Sequence, residues 1–413
     1  MNESGDLPLR LVSACGFVGL IGVAWLCSSD RRQVPWRTVA WGVGLQLGLG
    51  VLLLRTRIGH GFFGAVNALV DRFLGYANEG TRFVFGPLLD TGFSFALGVL
   101  PVIVFMGSFF AVLYHIGVVQ RVVDALAWVL SRTMRLSGAE SLAAVANVFV
   151  GMIESALVVR PYLAHMTRSE LFSLMTLGMA TVAGSVLLSY VGILGGGEFA
   201  GHLVTASLLS APAGLLVAKM MVPESGSPET GTGAHVHVDR ESVNLIDAAA
   251  QGALGGLRLA AYVGAMLVAF VALIALLNDV LAVLGAVVGI ADLSFQRVLG
   301  WLLAPVAFAL GVPWEDAQQV GALLGLKTVL NEFIAYQELG SLVASGAISE
   351  RAAVIASYAL CGFANFGSLA ILLGGIGGMA PSRHAEVAQL GLRSILAGSI
   401  STFMTGCVAG MLL

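Results

Sequence analysis

The chain has 413 residues, 57% hydrophobic and only 11% charged, against about 25% charged in soluble domains. That shortage excludes a soluble enzyme or binding module, and a net charge of −3 gives no basis for a nucleic-acid partner. Cys15, Cys27, Cys361 and Cys407 lie in apolar runs without metal-like spacing and read as small buried hydrophobes. The class is therefore an all-α polytopic membrane protein; its apolar runs are continuous rather than alternating, which argues against a β-barrel.

In chain order, the first apolar stretch, Leu9 to Cys27, is longer than a signal-peptide core and lacks a basic lead-in, so it reads as a span. Predicted spans cover residues 9–28, 37–55, 94–118, 170–194, 199–222, 256–278, 350–375 and 387–412. Residues 60–80 and 119–135 are amphipathic and suit a membrane interface. Residues 139–164 and 317–344 are hydrophobic but carry glutamates, glycines and amides, so each reads as a re-entrant hairpin. Pro223–Ser242 reads as a flexible cytoplasmic linker, and its His235-Val-His237-Val-Asp239 as a solvated run rather than a metal site. The Gly321–Thr328 run fails as a phosphate loop, because Leu326 separates Gly325 from Lys327 and no strand precedes it.

Basic residues cluster on alternate loops. Arg31, Arg32, Arg37, Arg121, Arg132, Arg135, Arg160, Arg168, Arg240, Arg258 and Arg383 share one side, whereas Gly195–Glu198 and Asp279–Asp292 carry none. Positive-inside reasoning puts both termini outside, so the hairpins enter from opposite faces. That opposition is what an inverted repeat requires. Local signals agree: Thr167-Arg-Ser-Glu170 is a capping box, and Ser349 is an N-cap. Thr181 lies twelve residues beyond Ser169, as Cys361 does beyond Ser349, and both helices then run into small or polar residues.

The chemistry concentrates at Glu154 in the first hairpin and Glu332 in the second. A carboxylate at membrane depth costs roughly 2.5–3.5 kcal/mol and is rarely there without a use. Paired hydrophobic segments interrupted in corresponding halves point to a transporter's binding site. The two glutamates could clamp a polar solute from two sides, with Asn365 and Ser368 on the broken seventh span beside them. Structural alternatives stand alongside: Glu332 pairing with Lys327, Asn147 and Asn365 serving as local caps, and Phe363 and Leu259 serving as core.

Six segments together resemble concentrative nucleoside transporters. They are Tyr76–Gly86 (YANEGTRFVFG), Glu140–Glu154 (ESLAAVANVFVGMIE), Val158–Pro161 (VVRP), Gly311–Trp314 (GVPW), Leu326–Phe333 (LKTVLNEF) and Ala359–Asn365 (ALCGFAN). The resemblance implies eight transmembrane helices plus two re-entrant hairpins, a homotrimer, an elevator-type moving domain and ion-coupled nucleoside import across the inner (plasma) membrane. It divides the chain into scaffold spans and interfacial helices over 1–135, a first transport repeat over 136–222, a cytoplasmic linker over 223–250, a scaffold span and connecting helix over 251–312, and a second transport repeat over 313–413.

By the same resemblance Glu332, Asn365 and Ser368 stand at the ribose, and Gly151 and Glu154 face the base. Val186, Leu259 and Phe363 match apolar contacts to the nucleoside. Asn147, Val150, Thr181 and Val182 match the sodium ligands. The hairpin tip departs from the family pattern: Met152 replaces a glutamine and Ile153 replaces a hydroxyl residue. Neither can hydrogen-bond a base or offer an oxygen to a hard cation. The expected function is thus an ion-coupled nucleoside importer, not an enzyme, driven by Na+ or by a proton on Glu154 or Glu332. A nucleobase or related heterocycle is the alternative cargo.

Overall fold

The structure is a computed structural model that describes residues 7–91, 94–231, 242–290 and 292–413, so His235, His237, Asp239 and Arg240 lie outside the described residues. Among the described residues every regular element is helical. The first part holds α1 (Leu7–Leu26), α2 (Trp36–Arg55), α3 (Arg57–Phe85), α4 (Phe95–Gly98), α5 (Leu100–Ile116) and α6 (Val118–Met134). The next holds α7 (Gly138–Phe149), α8 (Met152–Val158), α9 (Arg160–Leu163), α10 (Arg168–Ala180), α11 (Gly184–Ile193) and α12 (Ala200–Met221). After the linker come α13 (Leu245–Val288), α14 (Phe295–Ala309), α15 (Trp314–Val329), α16 (Glu332–Ala344), α17 (Glu350–Leu360), α18 (Phe366–Met379) and α19 (His384–Leu412).

One motif occurs twice. A helical hairpin (α7 with α8, α15 with α16) leads into a helix broken midway (α10–α11, α17–α18) and then an unbroken helix (α12, α19). The caps expected from sequence form: Thr167 and Glu170 close a reciprocal capping box at α10, and the Ser349 hydroxyl accepts from the Ala352 N–H at α17. The breaks fall at Thr181–Ala183, where Thr181 is extended (φ −121°, ψ 168°), and at Cys361–Asn365, where Asn365 re-caps α18. The two halves exchange packing: α8 lies on α18, and α16 lies on α11. This crossing brings both hairpin turns toward both breaks.

Burial separates two layers. The most apolar windows of α10–α11 and of α12 are each 89% buried, whereas that of α13 is 6% buried. A helix that buries its sequence all round belongs to a core; one apolar yet bare has lipid or another copy as its solvent. The outer helix α13 packs on α5 through glycines, where a Cβ at Gly256 would lie 2.7 Å from the Ile103 carbonyl oxygen. Gly252 and Gly256 are spaced as in the small-xxx-small pattern that lets membrane helices approach closely.

The broken span expected over 350–375 is two short helices, α17 and α18. Three expectations need correction. The predicted loop from Asp279 is helical to Val288, because the Asn278 amide accepts from the Phe295 N–H (2.8 Å) and donates to Gln296 (3.1 Å) instead of breaking the helix. The linker is not free along its whole length. Thr230 Oγ1 accepts from the Ala139 N–H and the Gly231 carbonyl from the Gly138 N–H, filling two otherwise unpaired donors at the start of α7. Finally, Cys15 is exposed on α1 rather than buried, while Cys361 and Cys407 are buried.

Beneath the first hairpin sits a buried polar cluster. Lys219, near the end of α12, pairs with Glu140 of α7 (2.7 Å) and Glu224 of the linker (3.1 Å) and donates to Ser169 of α10 (3.0 Å). Ser137, the N-cap of α7, donates to Glu170 (2.5 Å). The hairpin base, α10, α12 and the linker are thus tied by charge-assisted bonds.

Candidate functional site

A cavity of ≈160 Å³ lies where the two hairpin turns face the helix breaks. Its wall includes Gly151, Met152, Ile153 and Glu154 from the first hairpin, Val186 from α11, Leu259 from α13, Glu332 from α16, and Phe363, Asn365 and Ser368 from the second break. The ten residues taken from sequence as substrate contacts, Met152 and Ile153 of the variant tip included, therefore border one space.

Local structure aims them there. Gly151 adopts φ +111°, a conformation that favours glycine. A Cβ at that position would lie 2.9 Å from Glu154 Oε2 and 3.2 Å from Ala183 Cβ. Glu154 then falls in the first turn of α8 with its side chain exposed. In the second hairpin Asn331 caps α16 by accepting from the Ile334 N–H (3.0 Å), so Glu332 is the first helical residue.

Glu332 is 3% exposed, yet its carboxylate is held at both oxygens. The Tyr190 hydroxyl donates to Oε1 (2.9 Å) and the Asn365 amide donates to Oε2 (2.8 Å). Asn365 does two jobs, since its Oδ1 also accepts from the Ser368 N–H (2.7 Å) as the N-cap of α18. One amide therefore fixes both the carboxylate and the helix start. A carboxylate oriented this way retains acceptor capacity for hydroxyls entering the cavity.

The ion-pair alternative for Glu332 is not what forms. Lys327 is fully buried and donates to the Ala359 carbonyl (2.9 Å) and Thr402 Oγ1 (2.9 Å). Among the described residues no carboxylate lies within 4.0 Å of its ammonium, so Glu332 and Lys327 turn to different partners.

Of Asn147, Val150, Thr181 and Val182, Val150 lines the cavity, and Asn147 bonds Thr181 at the first break. The Asn147 amide donates to the Leu177 carbonyl and to Thr181 Oγ1, both at 2.5 Å. Its Oδ1 accepts from Ser155 Oγ (3.3 Å), and Ser207 Oγ donates to the Val182 carbonyl (3.4 Å). Neutral oxygens gathered at the C-terminal end of a helix are chemistry that suits a small hard cation. Among the described residues no cluster of three His, Cys, Asp or Glu is placed to hold a transition metal.

Sequence reasoning missed Tyr190, Ser155, Asn331, Phe333, Tyr262 and Met266. Tyr190 and Ser155 bond members of the site, and the other four line the cavity. Ser155 carried a usable signal: it follows Met152 by one helical turn and donates to its carbonyl (3.2 Å). Tyr190, inside an apolar span, carried none.

Family profiles match along the chain. "Na+ dependent nucleoside transporter" N- and C-terminal profiles match residues 15–88 and 202–410, and a "Nucleoside recognition" profile matches 96–197. The chain belongs to the Na+-dependent nucleoside transporter family. It is 44% identical to the Bacillus subtilis transporter YutK, over 96% of this chain and 98% of that protein. It is 41% identical to Homo sapiens solute carrier family 28 member 3 over 98% of this chain, which spans 60% of that longer relative. Among solved structures, CNTnw in an inward-facing substrate-bound state superposes with a TM-score of 0.91 at 43% identity, covering 98% of both chains. A double variant of CNTnw in an outward-facing state gives 0.93 at 43% identity, over 98% of this chain and 97% of that one.

Proposed function

We propose that this chain is an ion-coupled secondary active transporter that imports nucleosides across the inner (plasma) membrane as a multi-pass protein. The observation that carries the reading is the cavity in which Glu332, fixed by Tyr190 and Asn365, faces the Gly151–Glu154 turn of the opposite hairpin. An oriented carboxylate and an amide suit ribose hydroxyls, while Phe363, Leu259 and Val186 give apolar surface for a base. The family's profiles favour a nucleoside over the nucleobase alternative.

Sodium is the coupling ion in this proposal, and a proton on Glu154 or Glu332 the competing one. Asn147, Thr181 and the Val150 and Val182 carbonyls form the ion's shell, and Ser155 Oγ supplies a hydroxyl beside an Ile153 that has none. The repeated motif supports two inverted repeats, with each hairpin re-entrant from its own face and both termini outside. Similarity to one transporter in inward- and outward-facing states supports an elevator-type motion of the hairpin-bearing regions, 136–222 and 313–413. The bare apolar surface of α13 supports a scaffold formed by a homotrimer in the bilayer.

The test is uptake of radiolabelled uridine into proteoliposomes under a sodium gradient alone and a pH gradient alone. Accumulation with sodium alone, abolished when the gradient is collapsed, is the expected result. Accumulation with the pH gradient alone would replace sodium by a proton, and accumulation with neither would remove ion coupling.

A further inference from the structure

The two halves of the molecule put opposite chemistries at one register. Asn147 is the third residue from the end of α7, and Lys327 is the third from the end of α15. Each reaches into the last turn of the broken helix that follows its own hairpin. Asn147 touches the Leu177 carbonyl of α10 and the Thr181 hydroxyl at the break; Lys327 touches the Ala359 carbonyl of α17, next to the Cys361 break. The C-terminal carbonyls of a helix carry the negative end of its dipole, so both places attract positive charge.

The side chains answer that field differently. Asn147 is uncharged: its amide nitrogen donates to those two oxygens and its Oδ1 turns to Ser155, so no positive charge is fixed at that helix end. Lys327 brings the positive charge on its own tether. Its ammonium is surrounded as a dehydrated cation would be, by the Ala359 carbonyl, the Thr402 hydroxyl (both 2.9 Å) and the face of Phe403, whose centre is 5.8 Å away. A lysine at 0% exposure with no carboxylate within 4.0 Å among the described residues is costly to bury unless the site itself attracts a cation.

We infer that Lys327 is a tethered cation that permanently fills, in the second half, the place an exchangeable ion occupies in the first. The consequence is asymmetric: only the break at Thr181 loads and releases an ion during the cycle. This rests on the reading that the oxygens around Asn147 hold the coupling ion.

Lys327→Asn tests it by giving the second half the side chain of the first. Binding of radiolabelled Na+ to purified full-length protein is compared between wild type and variant, together with Tm in NaCl and in choline chloride. The variant is expected to bind one more Na+ per chain than wild type, with a Tm that rises more steeply with NaCl. A folded variant that binds no additional Na+ overturns the inference. If the variant folds poorly in choline chloride, rescue by NaCl supports the inference, and failure to fold in both salts overturns it. Absence of Na+ binding to wild type would instead strike the sodium reading of the first half, leaving the variant-minus-wild-type difference to decide the role of Lys327.

Discussion

Removing one hydroxyl from Tyr190 isolates the orientation of Glu332 from everything else in the site. Tyr190→Phe preserves the buried ring and its stack on Tyr336 (4.6 Å between centres) but deletes the donor to Glu332 Oε1. A hydrogen bond to a charged group contributes about 1.5–3 kcal/mol, which is about 10- to 140-fold in an equilibrium constant. Asn365 still holds Oε2, so the lower end applies and the KM for uridine is expected to rise about tenfold. The control is Tyr336→Phe. That hydroxyl is equally buried but donates to the Ser357 carbonyl (2.9 Å), away from Glu332. It should lower stability by about 1 kcal/mol and leave KM unchanged. Uptake kinetics in proteoliposomes, with thermal unfolding in parallel, separate the two effects. Equal KM values for wild type and Tyr190→Phe would refute the claim that Tyr190 positions a substrate-binding carboxylate.

Gly151→Ala forces a Cβ onto a backbone at φ +111° and against Glu154 and Ala183, at a cost of about 1–3 kcal/mol, and uridine uptake should fall while the protein still purifies. Glu140→Gln breaks a buried pair with Lys219 and should destabilise by about 3–5 kcal/mol, read as a fall in Tm. Burial pushes the Glu224 carboxyl up, but Lys219 and the Gly226 N–H outweigh it and hold it below the usual 4.5. A carboxyl lowered on folding stabilises fully above its unfolded value and loses that contribution as pH falls through its folded one. Tm should therefore drop on acidification below 4.5, and Glu224→Gln should flatten that drop.

The parts of the fold legible in the sequence were those written locally. Thr167, Glu170 and Ser349 announce helix starts because capping is a three-residue interaction. The breaks at Thr181 and Cys361 follow from runs of small or polar residues inside otherwise apolar stretches. The glutamates stood out because carboxylates within long apolar stretches are rare. What stayed hidden depends on contacts between distant segments. Lys327 and Glu332 are neighbours in sequence, yet their partners lie 75 and 142 residues away, at Thr402 and Tyr190. Asp279–Asp292 looked like a loop because nothing local shows Phe295 and Gln296 arriving to satisfy Asn278 just before it. The linker's anchoring to α7 likewise needs the fold to bring Thr230 to Ala139.

Locating a bound nucleoside bears most directly on whether the two hairpins grip one cargo. In a cryo-electron microscopy map of the protein in nanodiscs with uridine, ribose density should contact Glu332 and Asn365, with the base against the Gly151–Glu154 turn. Density outside that cavity, or touching one hairpin alone, would contradict the shared grip.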